Sequence, residues 1–174
     1  MIDDAGITQV LAEARFADLL PNVTVLDPSS GPRLAPPPDI PSRGTVSPDT
    51  VAYAIFTSGT TGFPKGATLT HRNLLNNGYF IGELLGYTEN DRVCVPVPFF
   101  HTFGMVIGTF ATFTHGGAII IPAPSFKARE TLKAVHSAKA TSLYGVPTMF
   151  INELEEAHDH EEYGSPYDLS TLRT

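Results

Sequence analysis

Between Val93 and Pro147, short apolar runs alternate with segments of helical period, and no other feature restricts the fold of this 174-residue chain as strongly. The spacing predicts strands at Val93–Val97, Ala118–Ile121 and Ser142–Val146. Helices are predicted at Phe103–Phe113 and Ser125–Ser137, and another opens at Pro147, where the N–H that proline lacks has no intrahelical partner anyway. The strands are continuous runs such as Ala-Ile-Ile-Ile, not in/out alternations, so both of their faces are buried. The expected fold is α/β, part of a doubly wound, mainly parallel sheet with helices on both faces.

Upstream, Val51–Thr57 reads as a strand and Arg72–Leu85 as a helix capped by Thr70. Ile7, Val10, Leu11, Ala14 and Leu19 fall near helical spacing, and Val23–Leu26 follows as a strand. Pro28 to Pro48 holds seven prolines and no apolar period. The organisation predicted is a helix–strand element over 1–27, a Pro-rich linker over 28–48, and one globular part over 49–174. Glu153 to Glu162 reads as a solvated helix end.

Charge and cysteine use narrow the classes. The formal charge of −7 and the lack of a Lys/Arg stripe argue against nucleic-acid or anionic-membrane binding. The first residues are acidic where a signal peptide is basic, and the most apolar stretch, Val106–Ile121, is broken by threonines, His115, Gly116 and Gly117. Together with a single cysteine, Cys94, this predicts a cytoplasmic protein with no membrane span. Cys94, in an apolar strand, reads as packing and not as a nucleophile.

The chemistry is concentrated in Phe56–Gly66, where four hydroxyls, three glycines and Lys65 follow an apolar strand. Glycines let the backbone approach a ligand and expose successive N–H groups, and hydroxyls and a lysine suit phosphate oxygens. The physical reading is a polyphosphate cradle. It is no Walker A loop, since Pro64 and not Gly precedes Lys65, and neither GxGxxG nor GxSxG is present there.

The run Thr57-Ser58-Gly59-Thr60-Thr61-Gly62-Phe63-Pro64-Lys65-Gly66 closely resembles the phosphate loop of the AMP-forming adenylating enzymes. Leu69-Thr70-His71-Arg72-Asn73-Leu74, Pro98-Phe99-Phe100-His101-Thr102-Phe103-Gly104 and Tyr144-Gly145-Val146-Pro147-Thr148-Met149-Phe150 resemble further motifs of that superfamily, in the same order. Phe-Phe-His-Thr-Phe-Gly paired with Leu-Tyr-Gly-Val-Pro-Thr-Met-Phe looks most like the fatty acid-CoA ligases, particularly a medium-chain-type subgroup.

This resemblance implies ATP-dependent conversion of a fatty acid to acyl-adenylate and then to acyl-CoA, with ATP, coenzyme A and the acid as substrates and Mg2+ as cofactor. It implies that Thr57, Ser58, Gly59, Thr60, Thr61 and Gly62 wrap the β- and γ-phosphates, with Lys65 steadying the loop or the leaving pyrophosphate. By the same resemblance Thr57 is expected to contact the magnesium, directly or through water. His101 lies beside the carboxylate and the adenylate phosphate, with Phe99, Phe100, Phe103 and Gly104 as the substrate-binding surround.

Blander readings stand beside these. The aromatics serve equally as core, a lone histidine as a backbone-bonded core residue, and Gly104 and Gly108 as a close helix contact or as an acyl groove. His71 reads as a local hydrogen-bonding residue. His158 and His160 fall on different faces of a helix and do not read as a metal pair.

The family's magnesium glutamate, ribose aspartate, hinge and C-terminal domain with its catalytic lysine have no counterpart before Thr174. Three expectations follow: a chain completed by a second one that carries those motifs, a non-catalytic remnant or interaction module, or another adenylating module of peptide-synthetase or luciferase type.

Overall fold

A computed structural model describes residues 7–20, 23–26, 45–57, 63–158 and 167–174. The chain divides into two compact units, Met1–Leu69 and Thr70–Thr174.

In the first unit, β1 (Gln9–Leu11) pairs in parallel with β2 (Thr24–Leu26), and a 3₁₀ turn at Ala14–Leu19 lies between them. The helix predicted there is therefore a strand followed by a short turn. The two apolar residues of β1, Val10 and Leu11, fit either period, and pairing with Thr24–Leu26 decides for the strand. Next, β3 (Val51–Thr57) pairs with β4 (Lys65–Thr70). β4 is a strand that the apolar pattern did not announce. Most of the Pro-rich segment lies outside the described residues.

The second unit opens with α1 (His71–Leu85). Thr70 Oγ1 accepts from Asn73 N–H at 3.2 Å and Asn73 Oδ1 accepts from Thr70 N–H at 3.0 Å, a reciprocal box that satisfies two end donors. The helix stops at Gly86, whose φ of +63° is left-handed, with Tyr87 N–H returning to Gly82 C=O at 2.9 Å.

The sheet that follows has β5 (Arg92–Cys94) at its centre, flanked in parallel by β6 (Ala118–Ile120) and β7 (Ser142–Leu143). Between β5 and β6 runs α2, a π-helical stretch Phe103–Phe110 that continues as an α-helical turn Ala111–Phe113. α3 (Ala128–Ala138) connects β6 to β7, and α4 (Pro147–His158) follows β7. The predicted elements of this region are all present, with shorter strands. Val95 N–H still donates to Ile120 C=O at 2.9 Å, and the ladder ends at Pro96 and Pro98, which have no N–H to donate, with Val97 buried between them.

Alternation along β5 distributes its side chains to two cores, as a sheet covered on both faces requires. Val93, Val95 and Val97 pack with Tyr87, Ala111, Ile81, Leu85 and Phe103 on the α1/α2 side. Cys94 packs with Val135 and Ala140 on the α3 side. Full burial of each such valine contributes about 1.5–3 kcal/mol.

The α1/α2 contact is close because glycines make it so. A Cβ on Gly78 would collide with Phe110 Cβ, and one on Gly82 with the His115 ring. His115 is held there by Glu83 (3.2 Å), by Ala111 C=O (3.0 Å) and by stacking on Tyr79. No helix among the described residues is long and apolar enough to cross a membrane.

At the other end of β5, Asp91 ties the unit together. Its carboxylate accepts from Arg173 Nη2 (2.7 Å) and Nε (3.1 Å), Thr141 Oγ1 (2.7 Å) and Thr88 N–H (2.8 Å). Arg173 also donates to the C=O groups of Leu85 and Gly86, both at 3.0 Å, which satisfies carbonyls left open at the end of α1.

Candidate functional site

In an open parallel sheet, ligands bind beyond the carboxyl ends of the strands, because helix N-termini and loops converge there. Beyond β5 the chain runs through Pro96-Val97-Pro98-Phe99-Phe100 into His101 and α2. Beyond β7 it runs through Tyr144-Gly145-Val146 into α4. Between these two loops lies a cavity of about 260 Å³ lined by Val97, Pro98, Phe100, His101, Phe103, Val146 and Met149. A second hollow, of about 440 Å³, lies on the other side of Phe100 and Met149, against Phe99, Ile121 and Phe126.

His101 holds its place through three bonds. Its N–H donates to Pro98 C=O at 3.3 Å, its C=O accepts from Met105 N–H at 3.0 Å, and its ring Nδ1 accepts from Phe103 N–H at 3.1 Å. A neutral ring that accepts at Nδ1 carries its proton on Nε2, so the residue offers one N–H donor beside the cavity. The ring also serves as an N-terminal cap for α2, a task usually given to a Ser, Thr or Asp oxygen.

The aromatic residues divide. Phe100 is 81% exposed and separates the two hollows. Phe99 and Phe103 pack partly into the α1/α2 core. Phe103 also meets Tyr144 edge to face, with ring centroids 5.5 Å apart. Gly104 is buried against the loop, where a Cβ would stand 2.5 Å from Pro98 C=O. Gly108 lies against Val95. Close approach to β5 and its loop is thus what these two glycines provide.

Behind Phe103 lies a network that sequence reasoning missed. Tyr87 Oη shares a 2.7 Å hydrogen bond with Ser142 Oγ and donates to Tyr144 Oη at 2.9 Å. Burial and the Tyr87 hydroxyl push the Tyr144 phenol well above its usual range, so it stays protonated. These partners are far apart in sequence, and no local pattern marks them.

The π-helical turn has its own chemistry. Thr109 Oγ1 donates to Gly104 C=O at 3.0 Å and Thr112 Oγ1 to Gly108 C=O at 2.6 Å, so side chains satisfy carbonyls at this turn.

In the other unit, Thr57 ends β3 and Lys65 begins β4, both exposed. Ser58, Gly59, Thr60, Thr61 and Gly62 lie outside the described residues. The structure therefore brings together His101, Phe100 and Phe103, with Phe99 and Gly104 in the same loop. Among the described residues, no group of three His, Cys, Asp or Glu is placed to hold a metal ion.

Two further expectations meet the structure. Cys94 is fully buried, and burial, with Glu153 nearby, pushes its thiol up to about 12, in keeping with inert packing. Glu153 is no solvated residue at a helix end: it is 4% exposed, and neither of its oxygens has a hydrogen-bond partner among the described residues. It lines one hollow together with Phe150, Leu154 and Ala157 of the same side of α4, and this i, i+3, i+4, i+7 spacing was the available signal.

The profile of a family described as AMP-binding enzyme matches residues 3–174. An acyl-CoA ligase, sidI, from Beauveria bassiana is 50% identical over 129 residues, 74% of this chain and 22% of that protein. The mitochondrial medium-chain acyl-CoA ligase ACSF2 of Danio rerio is 44% identical over 124 residues, 68% of this chain and 19% of that protein. Among solved structures, ATP-bound MatB from Rhodopseudomonas palustris superposes with a TM-score of 0.73 at 28% identity, over 88% of this chain and 32% of that one. The chain thus spans about a fifth of the length of these two ligases. A profile match over nearly every residue, joined to a fold shared with an ATP-bound structure, places the chain in the AMP-binding enzyme family.

Proposed function

We propose that this chain supplies the phosphate loop and part of the acid pocket of an ATP-dependent acid-CoA ligase that acts on a fatty acid. The observation that carries the reading is His101: its Nδ1 is occupied by Phe103 N–H, so its Nε2–H is free to donate at the mouth of an apolar cavity. The relatives named above, among them a medium-chain acyl-CoA ligase, support the substrate class.

In the first step a carboxylate oxygen attacks the α-phosphorus of ATP, the bond to pyrophosphate breaks, and acyl-adenylate forms. A thiolate of coenzyme A then displaces AMP from the acyl carbon. Stabilising negative charge on the phosphoryl oxygens is the protein's main task in the first step. His101 Nε2–H, held at a fixed angle by its cap bond, orients the carboxylate or a phosphate oxygen. Thr57, Ser58, Gly59, Thr60, Thr61 and Gly62 hold the β- and γ-phosphates, and Lys65 adds a compact positive charge. Phe99, Phe100, Phe103 and Gly104 shape the acid pocket and exclude water. Magnesium, when bound, would neutralise phosphate charge, and the Thr57 hydroxyl would hold it directly or through water. A cytoplasmic setting and a second chain carrying the remaining motifs complete the reading.

A module that keeps the fold without turnover is the second reading. The test is fatty-acid-dependent exchange of pyrophosphate into ATP, alone and with the remaining part of a relative supplied as a separate chain. Exchange that appears on complementation and falls in Lys65→Ala and His101→Ala supports the ligase reading. A folded, complemented sample without exchange supports the second.

A further inference from the structure

The walls of the 260 Å³ cavity are not equally fixed. Phe100 is 81% exposed and Met149 is an unbranched, adaptable side chain, so neither sets a firm limit to what the cavity holds. Phe103 is held. Its ring packs against the core of Tyr87, Val93 and Val95, and it meets Tyr144 edge to face, with centroids 5.5 Å apart and planes at 62°. Such a pair favours one ring position over its neighbours. Phe103 also supplies the N–H that occupies His101 Nδ1 at 3.1 Å. Wherever Phe103 stands, one wall of the cavity and the cap on the histidine go with it.

Tyr144 is itself fixed at both ends. Its N–H donates to Cys94 C=O at 3.0 Å, which ties its backbone to β5, and its hydroxyl accepts from Tyr87 Oη at 2.9 Å. A tyrosine has one O–H, so in the 2.7 Å contact between Tyr87 and Ser142 the serine is the donor. The bonds therefore run in one direction, Ser142 to Tyr87 to Tyr144. Ser142 is 1% exposed and Tyr87 4%, a depth at which hydroxyls are a cost unless they are bonded. What these hydroxyls add over bare rings is a fixed point: they pin the far end of the Tyr144 ring that Phe103 rests on.

We propose that Tyr144, pinned by Tyr87 and Ser142, is a positioning residue of the acid pocket: it sets where Phe103 stands, and thereby both how far an acyl chain reaches and how His101 is aimed. The inference rests on the ligase reading above for the nature of the ligand.

The test has one arm without ligand and one with it. Amide hydrogen exchange, followed by NMR on the free chain, reads the Phe103 N–H bond directly. Tyr144→Leu is expected to speed Phe103 exchange about twofold to tenfold, the scale of one aromatic pair, while Asn73 N–H in the α1 cap and Val95 N–H in the sheet exchange as in wild type. Tyr144→Phe keeps the ring and loses only the bond from Tyr87, so it folds and is expected to fall between the two. In pyrophosphate exchange by the complemented chain, Tyr144→Leu is expected to raise KM for octanoate and lower it for dodecanoate, because Phe103 recedes into the vacated space. It is expected to lower kcat for both acids, because the His101 cap is loosened. Unchanged Phe103 exchange in both variants overturns the proposal. So does a rate that rises in step with Asn73 and Val95, the mark of a general loss of stability, and so does an unchanged ratio of the two KM values. Phe103 exchange that responds as expected in a sample where even wild type exchanges no pyrophosphate would defeat the ligase reading and leave the positioning of Phe103 and His101 standing.

Discussion

His101 caps α2 with its own ring: Nδ1 accepts from Phe103 N–H at 3.1 Å, two residues on. One side chain therefore carries a structural bond on one nitrogen and a free donor on the other. Two substitutions separate these tasks. Asparagine keeps an acceptor near Phe103 N–H but presents no imidazole Nε2–H, so stability is expected to stay within about 0.5 kcal/mol, whereas alanine loses about 1 kcal/mol with the cap. In a complemented exchange assay both are expected to fall by about a hundredfold, the scale of a lost oxyanion donor. If His101→Asn restores exchange to the wild-type level, the residue acts only as a cap.

Asp91 and Arg173 give the second unit a measurable acid limit. Burial pushes the Asp91 carboxyl up, but the hydrogen bonds from Arg173, Thr141 and Thr88 outweigh that and hold it at about 2, against an ordinary 3.8. Its folded pKa is depressed, so its contribution is present above about pH 4 and is lost as pH falls through about 2. At about 1.4 kcal/mol per unit, the contribution is on the order of 2 kcal/mol. Asp91→Asn is expected to lower the urea midpoint at pH 7 and to flatten the acid limb between about pH 4 and 2. Parallel wild-type and mutant curves across that window would show that the pair contributes nothing.

How much of this could be read from the letters depended on how local the cause was. α1 was legible at both ends because Thr70 caps its start and Gly86 takes the left-handed turn that stops it, both local causes. The parallel sheet was legible because buried strands must be apolar throughout. β1 was misread as helix and β4 was missed, since pairing decides both and their residues fit other periods equally well. At the site, the Phe99–Gly104 loop declared itself by composition. The Tyr87, Ser142 and Tyr144 hydroxyls did not, because their bonds join residues that only the fold brings together. Glu153 was hidden by its company: an acid among acids reads as solvated, while it lines a hollow with the apolar Phe150 and Leu154 of the same side of α4.

Gly78 provides a test in which propensity and packing oppose each other. Alanine in a helix interior is about 1 kcal/mol better than glycine. Yet a methyl at 78 would collide with Phe110 Cβ and stand 3.0 Å from the Phe110 carbonyl carbon, most of it backbone-anchored and unable to yield. Overpacking at such a contact costs about 1–3 kcal/mol and here exceeds the propensity gain. Gly78→Ala is expected to lower the denaturation midpoint with an unchanged m-value. A stabilised Gly78→Ala would mean that α1 and α2 lie further apart than described.

Glu153 makes the chain alone less stable as pH rises, the reverse of the Asp91 effect. Burial, with no partner among the described residues, pushes its carboxyl up to about 7 from 4.5, so the folded state binds a proton that the unfolded state has already released. Between those two values the unfolded state holds fewer protons, and unfolding becomes easier with each increment of pH. At about 1.4 kcal/mol per unit the loss sums to the order of 3 kcal/mol and levels off above pH 7. Asp91 adds nothing in this window, since its titration ends below it. Urea midpoints of the unaccompanied chain at pH 5 and pH 8 are expected to fall accordingly. Glu153→Gln should remove the slope, and Glu153→Leu should also raise the midpoint at pH 8. A wild-type midpoint that is flat from pH 5 to 8 would mean that water or another group already serves the carboxyl, and that the cavity it faces is wet.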